Sequence, residues 1–131
     1  MIVLSMFVAG AGIQKRSVAK SKYWISAGST MAGGKGNLIF LGKKLKIKGK
    51  WGKGSTLDAA SDKAWSNGKS FNKTLKFGKN VKVVEMEDPM KVYSLDLYVS
   101  TYNIKKGKKM QFIQGYIYIV NNKVKKICFS A

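Results

Sequence analysis

From Lys44 to Trp51 the chain alternates: Lys44, Lys46, Lys48 and Lys50 hold one parity, Leu45, Ile47 and Trp51 the other. Successive side chains of a strand point to opposite faces, so this stretch buries its apolar set only as a strand with one wet, cationic face. A helix would wrap lysines and apolar residues around the same surface. Asn37-Leu38-Ile39-Phe40-Leu41 precedes it across Gly42-Lys43, and the two runs read as a hairpin.

The remaining elements follow from changes of period. Ser55 with Asp58 three residues on resembles a capping box, and Leu57, Ala60, Ala64 and Trp65 can share one face of a short helix over 55–66 that ends at Asn67-Gly68. Phe71–Phe77 and Val81–Met86 read as two strands joined by Gly78-Lys79-Asn80. Asp88-Pro89 looks like a helix start, with Val92, Leu95, Val99 and Tyr102 at helical spacing, while Tyr93, Leu95, Leu97 and Val99 also alternate as a strand would. The cap favours helix. Met110–Val120 and Lys123–Phe129 flank Asn121-Asn122, a two-residue turn tolerant of positive φ. Gly115 inside the first of these strands suggests a bulge or sharp bend, and Lys22–Ala27 offers one further strand. The fold class is mainly β with one or two short helices. A small five-stranded, partly open barrel with a helix between its fourth and fifth strands fits, an arrangement that resembles the OB fold. The alternative is an open α+β roll.

Charge divides the chain as sharply as period does. The 131 residues carry 25 Lys+Arg against 6 Asp+Glu, a formal charge of +19. All the acids fall between Asp58 and Asp96, so residues 1–57 and 97–131 hold none. Flanks of this kind sharing one face would make a cationic field that captures polyanions. The bland alternative is that lysine serves solubility alone. Arg16 is the only arginine; without the bidentate guanidinium fork, reading of base edges is disfavoured and salt-sensitive attraction to phosphate, sulfate or carboxylate polymers stays open.

Several chemistries are excluded. There is no His and a single cysteine, Cys128, which removes Ser-His-Asp and Cys-His catalysis, Cys/His zinc sites and any internal disulfide. Gly68-Lys69-Ser70 looks like the end of a P-loop, but the required upstream glycine is Lys63. Gly33-Gly34-Lys35-Gly36 and Gly52-Lys53-Gly54-Ser55 could cradle an anion on backbone N–H groups, the second better placed before a helix, though ordinary turn glycines explain both. Glu85 and Glu87 share a strand face without any supporting catalytic motif. No cofactor or metal is expected, and the chain is read as non-enzymatic.

At the N-terminus, Met1–Gly12 is apolar, uncharged and too short to span a bilayer as a helix, and Ala9-Gly10-Ala11 has the small-x-small form of a signal-peptidase site. Residues 1–11 are therefore expected to be the remnant of a signal peptide and 12–131 a single barrel-like domain, secreted or held at the cell surface; a cytoplasmic chain with an apolar first strand is the alternative.

The hairpin KKLKIKGKWGKG, the later SFNKTLKFGKNVKVVE, the helical stretch ending in Tyr102-Asn103 and the terminal YIYIVNNKVKKICFS together resemble small secreted, lysine-rich domains of low-GC Gram-positive gut bacteria. The resemblance runs from about Asn37 to the C-terminus. It implies export and a β-rich module, and transfers no functional residues.

The expected binding elements are two lysine sets: Lys44, Lys46, Lys48 and Lys50, and Lys105, Lys106, Lys108, Lys109, Lys123, Lys125 and Lys126. Phe112, Tyr116 and Tyr118 share a face beside them, and Tyr116 and Tyr118 could contact bases or sugars as OB-type barrels do, or simply fill the core. The expected partner is an anionic polymer, either a cell-wall or cell-surface polyanion or nucleic acid. A protein partner, or single-stranded nucleic acid inside the cell, is the alternative. The reading requires the N-terminal and C-terminal hairpins to lie side by side.

Overall fold

A computed structural model describes residues 21–28 and 35–130. The expected signal remnant, residues 1–11, and the Gly33-Gly34 pair lie outside them. In chain order the elements are β1 (Lys22–Ala27), β2 (Gly36–Phe40), β3 (Lys44–Gly54), α1 (Leu57–Asn67), β4 (Lys69–Glu85), β5 (Lys91–Ser94), α2 (Leu95–Tyr102), β6 (Lys109–Met110), β7 (Gln114–Val120) and β8 (Lys123–Ser130).

The strands form one eight-stranded sheet that closes on itself. β1 pairs with β3 and β7, β7 with β8, β8 with β4, and β4 with β3. Only β4–β8 is parallel. The ring is thus a five-stranded, partly open, OB-like barrel. Its seam is the β1–β3 ladder, from Trp24↔Gly54 to Ser26↔Gly52. β2 and β6 extend the sheet along the edge of β3 that β1 leaves free, and β5 hangs on the far end of β4. The helix between barrel strands is α2, and it falls between the third and fourth members of the ring, β4 and β7, rather than the fourth and fifth.

The core is what the alternation dictates. Leu45, Ile47 and Trp51 point inward with Ile25, Leu38, Ile117, Ile119, Val124 and Ile127, all essentially without solvent exposure. The turn at Asn121-Asn122 has φ of 51° and 62°, the doubly positive geometry that keeps the twist of a tight hairpin.

Four local expectations need correction. Phe71–Phe77 and Val81–Met86 are not two strands but one, β4; Gly78-Lys79-Asn80 is a bulge at which the pairing with β8 shifts register between Phe77 and Lys82 and Asn80 takes φ 54°. A strand that pairs with β3 before the bulge and with β5 after it, while keeping β8 along both stretches, must bend, and a bulge does this without ending it. The helix cap of α1 is Thr56, not Ser55: Thr56 Oγ1 accepts from the Ala59 N–H at 3.1 Å, because β3 continues to Gly54 and delays the first turn. Asp88 caps nothing. The Asp88-Pro89 bond is cis, residues 91–94 pair with β4 as β5, and Ser94 Oγ caps α2 by accepting from Leu97 N–H at 3.2 Å. Helical and strand periods both showed in this segment because it is a strand followed by a helix. Finally, β7 begins at Gln114 rather than Met110, and Met110 belongs to β6.

Two glycines fix how close these layers come. A Cβ on Gly52 would collide with the Ala60 carbonyl and the Ala64 nitrogen, so Gly52 lets α1 press its backbone onto β3. A Cβ on Gly115 would lie 2.7 Å from Phe112 Cε2. The Phe112 ring therefore folds over a bare Cα, and the chain turns between the two.

Candidate polyanion-binding face

The outer wall of the barrel is where the first lysine set stands. Lys44, Lys46, Lys48 and Lys50 point away from the core along β3, the inward positions being filled by Leu45, Ile47 and Trp51. Residues paired across a ladder share a face. On β4 the partners are Lys76, Thr74, Asn72 and Ser70, and on β2 the partners of Lys46 and Lys48 are Ile39 and Asn37.

The second set is split between two places. Lys109, in β6, stands opposite Ile39 and so lies two strands from Lys46. Lys105, Lys106 and Lys108 belong to the exposed segment before it, held against β2 by Phe40 N–H donating to the Lys108 carbonyl (2.9 Å). Lys123, Lys125 and Lys126 are on β8. The two hairpins are not direct neighbours, since β4 lies between β3 and β8 and pairs with both.

That intervening strand supplies the lysines that sequence reasoning missed. Lys76 is in register with Lys44 on one side and with Lys123 on the other, giving a three-strand row of ammonium groups. Lys82 is in register with Lys126, which in turn faces Tyr118, which faces Trp24. Neighbouring positions are ~5 Å apart across strands and ~7 Å apart along them. Both spacings are below the Debye length of ~8 Å at physiological ionic strength, so the fields add instead of being screened from one another. Lys73, on the opposite face of β4 with its ladder partner Ile47, joins Lys76, Lys123, Asn121 and Asn122 around a shallow depression beside this row. Lys125 is partly committed elsewhere: its Nζ donates to the Lys79 carbonyl at 2.7 Å, satisfying a group freed by the β4 bulge.

Tyr118 stacks on Trp24 with ring centroids 4.7 Å apart and planes inclined 31°. The pair sits on the outer face, next to Lys126. Tyr116 stands opposite Ser26 and Cys128. Ser26 is buried beneath α1, with its Oγ 3.5 Å from Ser61 Oγ and accepting from Gln114 Nε2 at 3.0 Å, so Tyr116 borders the roofed part of the wall. The expected grouping of Phe112 with these tyrosines does not hold: Phe112 is 1 % exposed and Ile113 51 % exposed. The chain bends at Ile113, before β7 begins, and this reverses the parity of Phe112 and Ile113 relative to β7; the bend expected at Gly115 is not there, since Gly115 stays in register with Ala27 and Phe129.

Negative charge is sparse on the strands, while Asp58 and Asp62 lie on α1, which roofs part of the wall. The only acid on any of the eight strands is Glu85, the last residue of β4. Its carboxylate accepts from Tyr93 Oη at 2.9 Å and from Tyr102 Oη at 3.1 and 3.2 Å, which ties it into the tyrosine cluster beside α2. The hydrogen bonds of Tyr93 with Tyr102 and with Glu85 hold its phenol well above the ordinary range. Burial, aided by Glu85, does the same for Tyr98. Among the described residues no group of three or more potential metal ligands comes together. Gly52-Lys53-Gly54 is no anion-cradling nest either, since Gly52 and Gly54 are ladder partners of Ser26 and Trp24. Among the described residues no helix is long and apolar enough to cross a membrane.

Comparison of the chain with protein-family models, with curated proteins and with solved structures returns no match.

Proposed function

We propose that this chain is an exported, non-enzymatic binding module whose outer barrel wall engages anionic polymers, among them cell-surface polyanions and nucleic acid. The observation that carries the reading is the in-register row Lys44–Lys76–Lys123, continued by Lys46, Lys48 and Lys50, on strands β3, β4 and β8, which present no carboxylate to that face. Like charges placed side by side weaken a sheet, and a polyanion laid along the wall relieves that repulsion. Lysine point charges suit a partner defined by charge density rather than by base sequence. The Trp24–Tyr118 pair beside Lys126 adds an apolar surface for a sugar or base. Export is supported by the apolar run ending in Ala9-Gly10-Ala11.

Retention on immobilised heparin and on a teichoic-acid mimic across a salt gradient tests this. Late elution, shifted to clearly lower salt when Lys44, Lys46, Lys76 and Lys123 are changed to Gln, is the expected result. Early elution unchanged in that variant would reject it. N-terminal sequencing of the native protein tests export separately.

A further inference from the structure

We propose that a cleft at one end of the barrel is a discrete site for a compact polyanionic group of the di- or triphosphate class. The cleft, about 380 Å³, opens where β1 begins, β3 ends and β4 begins. Lys22 of β1, Lys53 of β3, Lys63 of α1 and Lys69 of β4 all line it. None belongs to the ladder on the outer wall, so the site does not rest on that face being a binding surface.

Three features separate this cleft from a solvated lysine cluster. First, the cations converge from four elements around a concavity, and no acid is among its lining residues. A linear polymer meets a ladder; a concave ring of charges meets a short, densely charged group. Second, its floor is rigid. Trp51 and Tyr23 are buried there, and the Trp51 indole N–H is already donated to the Lys48 carbonyl at 2.8 Å. Lys53 Nζ lies 4.2 Å from the centroid of the Tyr23 ring, which anchors that ammonium over an aromatic face. A positioned cation loses less freedom on binding than one on a free stem. Third, Gly52 exists where the α1 backbone touches β3, and that close approach brings Lys63 to the same cleft as Lys53. Ser55 adds a hydroxyl to the lining. The cleft is of the size that small-molecule sites occupy, at roughly 300–1,000 Å³. The α1 N-terminus contributes little, since Thr56 caps it and Asp58 already lies in its first turn.

The ligand is either a free oligophosphate or the phosphorylated end of a polymer, which share this chemistry. The experiment is calorimetric titration of the full chain with tripolyphosphate, repeated with long-chain polyphosphate counted per chain end. One saturable site per chain is expected, weakened at least about tenfold by Lys53→Met with Lys69→Met and less than about twofold by Lys44→Met with Lys46→Met and Lys48→Met. Lys63→Gln, on the exposed side of a helix, should weaken binding about threefold without touching a strand. Equal affinity per end for the long polymer assigns the site to a chain terminus; affinity confined to the short compound assigns it to a free anion. Absence of binding, several ions bound per chain, affinity that scales with internal phosphates, or equal loss in both sets of variants would overturn the site. Heparin retention of the Lys53/Lys69 variant reads the outer wall independently: a chain that holds heparin but binds no tripolyphosphate loses the cleft and keeps the face.

Discussion

Lys44 and Lys76 stand directly opposite each other across the β3–β4 ladder, two ammonium groups in the position where opposite charges would stabilise a sheet. Lys123 follows in register on the far side of Lys76. Opposed like charges cost roughly 0.2–1 kcal/mol per pair, so Lys76 sets folding stability against ligand capture. Lys76→Thr, which copies neighbouring Thr74, should raise the unfolding free energy by up to about 1 kcal/mol at low salt. The gain should fade near 1 M salt, where the Debye length is ~3 Å. The same variant should leave heparin at lower salt. Urea unfolding at two ionic strengths and one chromatographic gradient measure both; a variant destabilised at low salt would show that Lys76 is held by an attractive contact instead.

Gly115 and Phe112 form the second relationship with a measurable consequence. Gly115→Ala places a methyl 2.7 Å from the buried Phe112 ring. Overpacking of this kind costs ~1–3 kcal/mol. If the clash is the cause, adding Phe112→Leu should recover part of the loss, and the two substitutions should be non-additive by at least ~0.5 kcal/mol in a double-mutant cycle. Strict additivity would place the cost in the backbone at position 115.

What the sequence disclosed and what it concealed follow from how locally each feature is written. The Lys44–Trp51 strand was legible because one face is wet and the other dry along its length. β1 was only half legible because Ser26 and Ala27 are both buried, one face by the core and the other by α1, so its alternation fades after Ile25. The continuity of β4 was hidden because Gly78-Lys79-Asn80 uses the same residues in a bulge as in a turn. The lysine sets could be named from their strands, but the strand joining them, with Lys76 and Lys82, could not, because register between distant segments is not a local property. Of the four-lysine cleft only the Gly52-Lys53-Gly54-Ser55 run could be singled out, because Lys22, Lys63 and Lys69 come to it from three other elements.

The tyrosine cluster beside Glu85 predicts an alkaline weakness. The Tyr98 phenol is pushed above its ordinary value, first by burial and then by Glu85 and Tyr102. Its folded form therefore holds the proton more tightly than the unfolded chain, whose phenol titrates near about 10. The stabilisation is complete below that pH and is lost as pH climbs beyond it, because there the native state binds more protons than the unfolded one. Tyr98→Phe should show a shallower fall of unfolding free energy between about pH 10 and 12 than the parent. Lysine deprotonation in that range is common to both proteins, so the difference between the two curves isolates the phenol. Parallel curves would mean the ring is solvated.

Cys128 offers a probe of the barrel wall itself. It lies on β8 between Val84 of β4 and Tyr116 of β7, buried, with burial raising its thiol pKa and the Lys126 ammonium opposing that rise. A thiol reacts as the thiolate and needs access, so both factors slow it in the folded chain. Labelling with a disulfide reagent at pH 8 should be at least about a hundredfold slower than in urea, with a rate that follows the global unfolding curve as denaturant is added. A native rate well above that curve, without loss of the overall fold, would mean that the parallel β4–β8 ladder opens on its own. The row Lys44–Lys76–Lys123 crosses the same ladder, so such opening would break the cationic wall into two separate halves. Added heparin would then slow the labelling by holding them together, and no such protection should appear if the ring stays closed.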